Sequence, residues 1–456
     1  MVITAIKNCG LIVILRRSRR ISFLRCFTSF SMTLCVILHF TFYIFNCPLY
    51  SYTRLGLNNS GDVVSGFSAR SVGMGSTGIT TINDASALAV NPATMAVGIT
   101  ANKMILAVTP SYSLFEEKEN FFDVTNDNVY FQLTGAGIAV PVVRNILVFG
   151  VNNSPVLDYS YKYSYTMLSS LMQKILDTGI IASGGLRKTD IGFGLKIVDE
   201  LHLGFSYGLI GGEAKRESES TFYSSNLPIF QSDTALSTNY DGSSARYGLV
   251  FNRLNYTFGG FYQSPSTVKY DITETETDSD LTTGVSIVTK TVSKGDIKYP
   301  ESFGFGFSYK FKGKFRTLFA VDWERQNWNI LTYRTKTIDD VATGAQREHI
   351  YGYKETDELK LGLEMWLNDW IPVRCGFRYQ EFYESWDNRV YNWYHSSYIT
   401  KNVVPVFYGF SFGSGYVLEK FDIDFGYEFA RRSYEKSSDR YDEDLQRFVV
   451  TTRFRW

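Results

Sequence analysis

Beyond residue 51 the sequence holds one cysteine, Cys375; the other four, Cys9, Cys26, Cys35 and Cys47, all fall before that point. With the leading segment removed, the chain can form no internal disulfide and no thiolate metal site. Proline is also scarce, 10 in 456 residues, and no Pro/Ser-rich linker cuts the chain into the two or three domains its length would suggest. Net charge is absent, with 46 Lys+Arg against 46 Asp+Glu and no basic cluster after the leader, so the footprint of a nucleic-acid binder is missing. No apolar run of about 20 residues follows residue 52, which excludes a bundle of membrane-spanning helices. What the chain has in abundance is rings and glycine: 31 Tyr, 35 Phe and 37 Gly, at a mean hydropathy of -0.11.

The first 51 residues read differently from the rest. Arg16, Arg17, Arg19, Arg20 and Arg25 make a basic block, an apolar stretch follows from Met32 to Phe45, and small and turn residues close it at Cys47-Pro48-Leu49-Tyr50-Ser51. That order of charge, apolar core and small residues predicts an export signal over 1–51.

From about residue 103 onward, strict period-two alternation dominates, the pattern of strands with two unlike faces. Phe303, Phe305, Phe307, Tyr309 and Phe311 alternate with Ser302, Gly304, Gly306, Ser308 and Lys310; Phe421, Ile423, Phe425, Tyr427 and Phe429 alternate with Asp422, Asp424, Gly426 and Glu428. A soluble sandwich alternates too, but over strands of about 5–6 residues with aliphatic inner faces. Here the alternating segments reach ten or more residues, the length that crosses a bilayer at a tilt, and rings crowd their apolar face. The fold class expected is therefore all-β, an antiparallel transmembrane β-barrel with a polar lumen.

Strands are expected near 103–115, 129–140, 145–161, 186–198, 201–217, 245–254, 256–271, 298–311, 315–328, 357–367, 371–386, 403–418, 421–434 and 444–456, about fourteen in all. Tight turns at Arg144-Asn145, Asp199-Glu200, Leu254-Asn255, Lys312-Gly313-Lys314, Asn368-Asp369-Trp370 and Glu419-Lys420 alternate with long polar connections, read as external loops. Phe448, Val450, Thr452, Phe454 and Trp456 share one face of the last strand, and a terminal strand ending on a ring resembles a barrel-assembly signal carried by Phe454 and Trp456. Charges on the inward phase, Lys310, Asp322, Glu324, Lys360, Glu364, Arg374, Arg378, Asp422, Asp424, Glu428, Arg453 and Arg455, are expected as lumen ion-pair ladders. On the lipid face each would cost about 2–4 kcal/mol at the midplane.

Chemistry-bearing motifs are thin. Gly73-Met74-Gly75-Ser76-Thr77-Gly78 fits GxGxxG, but it lacks the strand before and the helix after that a dinucleotide site needs, so a tight loop is expected. His202 falls on an inward phase, and His349 and His395 fall in expected external loops. No catalytic constellation, metal-ligand spacing or cofactor signature is present. The reading is of a non-enzyme without cofactor.

Residues 52–102 do not alternate and form a segment large enough to plug the lumen, ahead of a barrel over 103–456. Within that segment Ser68-Ala69-Arg70-Ser71-Val72-Gly73-Met74-Gly75, Asn83-Asp84-Ala85-Ser86-Ala87-Leu88 and Asn91-Pro92-Ala93 resemble the N-terminal hatch of the FadL-type long-chain fatty-acid transporter superfamily, which includes aromatic-hydrocarbon channels and PorV-like proteins of secretion systems. Thr80-Thr81-Ile82 and Val90 depart from the family pattern. The resemblance implies a fourteen-stranded barrel with a lumenal hatch, whose motif is Gly73, Gly75, Asp84, Ala85, Ser86, Asn91, Pro92 and Ala93. It also implies an inward-kinked third strand that opens a lateral gate. Asn153-Ser154-Pro155 stands in that strand, and a proline that cannot donate to a ladder marks a bulge or a broken edge.

The function expected is passage of a hydrophobic or amphipathic small molecule, such as a long-chain fatty acid, through an outer-membrane barrel gated by the hatch. Phe261 and Trp366 are the candidate lumen apolar residues. A PorV-like partner in protein secretion or surface attachment is the alternative, and a general porin a third. Expected partners are outer-membrane lipid, the barrel-assembly machinery, a hydrophobic ligand and, for the alternative, secretion-system proteins; the setting is the outer membrane of a diderm bacterium.

Overall fold

Alternating rings and glycines can satisfy both faces only if the strands close a cylinder with rings outward, and the computed structural model shows that arrangement. The structure describes Thr53 and residues 61–98, 103–119, 124–313, 315–337, 347–350, 353–392, 397–436 and 439–456. The export signal expected over 1–51 and the external His395 lie outside the described residues.

Fourteen antiparallel wall strands follow one another. They are β1 (Ile105–Glu119), β2 (Val124–Val143), β3 (Leu147–Asp158, continued by Tyr161–Leu168), β4 (Lys174–Lys196), β5 (Leu201–Ser224), β6 (Leu227–Arg253) and β7 (Tyr256–Gln263, continued by Ser266–Asp280). Then come β8 (Val285–Tyr299, continued by Ser302–Phe311), β9 (Thr317–Asn327, then Thr332–Thr337), β10 (Arg347–Ile350, then Glu355–Trp366) and β11 (Pro372–Glu381, then Trp386–Asn392). The last three are β12 (Ser397–Val403, then Val406–Val417), β13 (Phe421–Lys436) and β14 (Asp439–Arg455). β14 pairs back onto β1 from Ile105↔Arg455 upward, so the sheet closes. Met104 and Trp456 exchange backbone hydrogen bonds of 3.0 and 3.1 Å, which puts both barrel ends on the tight-turn side. Phe454 and Trp456 stack there at 6.0 Å between centroids.

The tight turns fall where the spacing predicts them, but the opposite end differs from expectation. Among the described residues most of the segments read as long external loops are strands: β5 and β6 run on to a turn at Ser225 and Asn226, both at positive φ, and β7 and β8 stay paired to Asp280↔Val285. Beyond the membrane neither face is buried, so the apolar period disappears from the sequence. Thr-rich runs such as Thr273-Glu274-Thr275-Glu276-Thr277 keep strand conformation through neighbouring ladders rather than through a core.

Inward-facing glycines take the hatch. A Cβ at Gly376 would overlap the backbone of Met74 and Gly75, one at Gly204 would overlap Pro92 and Ala93, and one at Gly137 would lie 2.7 Å from the Ala85 Cβ. The hatch comprises a two-residue strand, Asp62–Val63, helix α1 (Ala69–Gly73), a 3-10 turn (Ala85–Ala89) and helix α2 (Thr94–Gly98). Ser68 caps α1 by accepting from the Ser71 amide, and Asp84 caps the 3-10 turn by accepting from the Ser86 amide; such a cap is worth about 1 kcal/mol. Among the described residues no helix is long and apolar enough to cross a membrane. The strands do the crossing, with Phe305, Phe410, Phe412, Tyr247 and Phe258 exposed on the outer face.

Candidate functional site

On one side of the barrel, ion pairs clamp the hatch. Arg70 makes a two-point contact with Glu364 (2.8 and 2.9 Å), which also accepts from Arg374 (2.7 Å). Arg374 goes on to Asp424 at 2.7 Å, Asp424 pairs with Arg453, and Arg453 returns to the hatch through Asn83 (2.7 Å) and Asp84 (3.6 Å). Asp322 accepts the Gly78 and Ile79 amides at 2.6 and 2.9 Å. Lys360 pairs with Glu324 and Glu358, and Arg378 and Arg447 share Glu428. Arg455 reaches Asp422 at the turn end, where Lys310 is exposed.

The hatch motif residues sit where backbone meets backbone. A Cβ on Gly73 would lie 2.9 Å from the Gly413 Cα. Gly75 holds φ +66, a Cβ there would be 2.5 Å from the carbonyls of Leu361 and Phe377, and its amide donates to Ser411 Oγ at 2.9 Å. Asn91 donates through Nδ2 to the carbonyls of Ile79 (2.9 Å) and Leu249 (3.2 Å) and accepts from the Ala93 amide, while Pro92 fills the space over Gly248. Asp84, Ala85 and Ser86 are buried, with Ser86 Oγ donating to Asp84 at 2.5 Å.

On the other side the wall itself is interrupted. β2 and β3 are paired from Val143↔Leu147 to Ala136↔Asn153, and no further. β3 bulges between Pro155 and Leu157 while staying on β4, and β2 bulges opposite the Thr109/Pro110 step of β1. The edge that β3 withdraws from β2 is taken by the hatch: Asp62 and Val63 pair with Asp158 and Leu157, and the Val64 amide donates to the Val156 carbonyl at 3.2 Å. Side chains bridge the missing ladder. Gln132 donates to Asp158 at 3.0 Å, and Arg187 donates to Asn153 Oδ1 at 2.8 Å and to the Leu133 carbonyl at 2.9 Å. Ser154 and Asn152 are buried toward the lumen, whereas Asn153 bonds Thr189 across to β4.

Behind this seam lies a cavity of about 120 Å³ that Ser154, Pro155, Val156 and Leu157 help to line. Val63, Leu186, Ile210, Tyr299 and Trp328 make its apolar wall. They continue into a buried layer with Tyr270, Ile297, Leu331 and Tyr383, in which Trp328 stacks on Tyr383 at 4.3 Å. Its polar wall holds Lys188, Arg246, Gln263, Glu324 and Lys360. Lys188 is paired with Asp190 at 3.2 Å, but among the described residues Arg246 donates only to neutral acceptors, the Gln263 side chain and the carbonyls of Ala89 and Val90. Phe261 lies under the Arg246 guanidinium, 4.7 Å from ring centroid to Cζ, and Trp366 lies at the turn end with Arg316 over its ring. Neither lines the cavity. Sequence reasoning singled out Pro155 but missed Arg187 and Arg246, since a single arginine in an alternating strand carries no local signal of what lies across the lumen.

Among the described residues no group of three His, Cys, Asp or Glu is placed to hold a metal ion. His202 is buried at the start of β5 beside the turn end, away from the cavity.

A family model described as BamG matches residues 30–382. No curated protein matches the sequence. Among solved structures, the toluene transporter TodX of Pseudomonas putida superposes with a TM-score of 0.62 at 15% identity, covering 86% of this chain and 98% of that one. A FadL homologue of Pseudomonas aeruginosa gives 0.58 at 16% identity over 86% and 99%, and the toluene transporter TbuX of Ralstonia pickettii gives 0.59 at 15% over 86% and 99%. At these identities the likeness is one of fold.

Proposed function

This chain belongs to the BamG family and has a FadL-type barrel fold, and from that premise we propose that it is an outer-membrane barrel that takes a hydrophobic or amphipathic small molecule into the cavity behind the β2–β3 seam. The observation that carries the reading is the coincidence of the broken ladder with that cavity: the segment Ser154–Leu157 lines the cavity and is also the stretch of β3 that has left β2, its edge held only by the short hatch strand. An apolar chain would lie against Leu157, Leu186, Ile210, Tyr299 and Trp328. Its polar end would face Arg246, which has no carboxylate partner within salt-bridge distance among the described residues, and Lys188. Passage requires no covalent chemistry and no cofactor. Selectivity would come from the size and apolarity of the site. In this reading residues 1–51 export the chain, 52–102 form the hatch, the kink at Asn153, Ser154 and Pro155 is the lateral gate, and the strand ending in Phe454 and Trp456 guides assembly into the membrane.

The test is uptake of radiolabelled palmitate by a deletion strain carrying this chain or its variants. Wild type should restore uptake, and Leu157→Trp, which fills the cavity, and Arg246→Gln should each lower it severalfold while the barrel remains folded in the membrane. Full uptake with a filled cavity would end the proposal.

The family's name, with its allusion to the barrel-assembly machinery, supports a second reading, in which the barrel is a platform for protein partners in barrel assembly, secretion or surface attachment. The ion-pair clamp is compatible with it, because a hatch held on that side suits a closed scaffold as well as a channel. Loss of other outer-membrane barrels on depletion, with palmitate uptake unchanged, would decide for this role.

A further inference from the structure

Arg187 is on the wrong face of the wall for an ordinary lumen charge. On β4 the even positions point inward: Gly192 and Gly194 abut the hatch, and Lys188 lines the cavity. Arg187 therefore belongs to the membrane-facing set with Ile191 and Phe193, both exposed. An arginine on that face costs about 2–4 kcal/mol at the midplane, falling toward the interfaces. Arg187 stands nine residues above Lys196 at the turn end of β4, and at roughly 3.3 Å per residue and a tilt of about 40° that is ~23 Å, close to the outer edge of the apolar band. That is the level of outer-leaflet head groups.

Among the described residues no carboxylate is hydrogen-bonded to Arg187. Nε and Nη1 go to neutral acceptors, Asn153 Oδ1 at 2.8 Å and the Leu133 carbonyl at 2.9 Å, and Nη2 is buried without a hydrogen-bond partner among the described residues. Asp158, the acid whose field reaches it, is engaged by Gln132 and Ser160. Its cross-strand neighbours are Pro155 on β3 and Gly211 on β5, and a Cβ at Gly211 would meet nothing nearer than 3.7 Å, so the outer surface has a notch next to Arg187. Below the notch the outer face is apolar, with Ile191 and Leu209 exposed.

We propose that Arg187 and the Gly211 notch form a docking site, on the membrane face of the β2–β3 seam, for the anionic head of an amphiphile, a carboxylate or a phosphate, whose chain lies along Ile191 and Leu209. A guanidinium presents paired donors that match an oxyanion with two oxygens, and a site at the bilayer edge is less screened than one in water. Binding there requires the guanidinium to turn outward, which gives up the Nη1 bond to the Leu133 carbonyl and brings the buried Nη2 donor to the surface. The site thus couples head-group capture to loosening of the bridge across the seam. As a step toward the cavity this rests on the lateral route proposed above; as a head-group site it stands without it.

The experiment uses the full-length barrel purified in uncharged detergent, titrated with palmitate, with dioleoyl phosphatidate and with hexadecanol. Arg187→Gln should weaken both anions about tenfold and leave hexadecanol unchanged, and Arg187→Lys, which keeps the charge without the fork, should lose less. Loss confined to phosphatidate assigns the site to a resident membrane lipid, and loss confined to palmitate assigns it to the travelling amphiphile. Wild-type affinity for both anions in a folded Arg187→Gln barrel overturns the proposal. Arg187-dependent binding together with palmitate uptake that is absent even in wild type would instead sink the route and leave the head-group site standing.

Discussion

The two sides of this barrel treat the hatch in opposite ways. From β9 to β14 the wall offers carboxylates and guanidiniums in register, and the hatch is tied in by the series Arg70, Glu364, Arg374, Asp424 and Arg453. At β2 and β3 the wall offers an edge, and the hatch meets it with the short strand Asp62–Val63 and the Val64 amide, while Gln132, donating to Asp158, and Arg187 close the remaining gap. A clamp of buried charges has one low-energy arrangement, since every displaced member leaves another unpaired in a medium of low dielectric. A seam bridged by Gln132 and Arg187 can open by exchanging a few bonds. The difference teaches where the proposed lateral route would place motion: at the seam, with the hatch as the fixed part.

Breaking the clamp should therefore have the largest effect on stability. Glu364→Gln takes the paired carboxylate from Arg70 and leaves Arg374 with Asp424 alone, and should cost about 3–5 kcal/mol, read as a lower urea midpoint and as protease cleavage within residues 61–98. Next comes Gly75→Ala, which puts a Cβ at φ +66 within 2.5 Å of two carbonyls; about 1–3 kcal/mol is expected from strain alone, with the hatch displaced from β10 and β11 in amide exchange. If either variant opens the seam as readily as it loosens the clamp, the contrast between the two sides is wrong.

At the seam the expected effect is on passage rather than on folding. Pro155→Val restores a backbone donor to β3, so uptake of labelled palmitate should drop severalfold while the unfolding midpoint moves little. The smallest effect lies beyond the membrane, on the β4–β5 extension. There the Thr166 hydroxyl, the Tyr223 hydroxyl and the Lys174 ammonium hold the Asp177 carboxyl down to about 2 from an ordinary 3.8. A depressed carboxylate stabilises the hairpin above pH 3.8 and loses that contribution as pH falls toward 2. Amide exchange near Asp177 should rise over that interval in wild type, with no such step in Asp177→Asn, and the cavity should be indifferent to both.

Period-two patterning made the wall readable in advance: fourteen strands, the tight turns at Leu254-Asn255 and Glu419-Lys420, and the inward charges all follow from which residues tolerate lipid. The external extensions were not readable, because Thr273–Thr277 and its neighbours face water on both sides and carry no period. Pairings of the hatch with the wall, such as Arg70 with Glu364 or Asn91 with the Leu249 carbonyl, join residues 158 to 294 positions apart, and a single sequence holds no trace of them. Pro155 announced a disturbance in β3. Neither the bulge at Val156 nor the reach of Arg187 across to Leu133 could be inferred from it, since both depend on where β2 stops.

On the proposed route ligand reaches the cavity through the β2–β3 seam while the hatch stays put. This route is tested most directly by placing cysteines at Leu133 and Val156 in a Cys375→Ser background and joining them with a short, reducible bis-thiol linker. Palmitate uptake should be normal before linking, lost after it and recovered on reduction; uptake that continues unchanged with the linker fully in place would contradict the account.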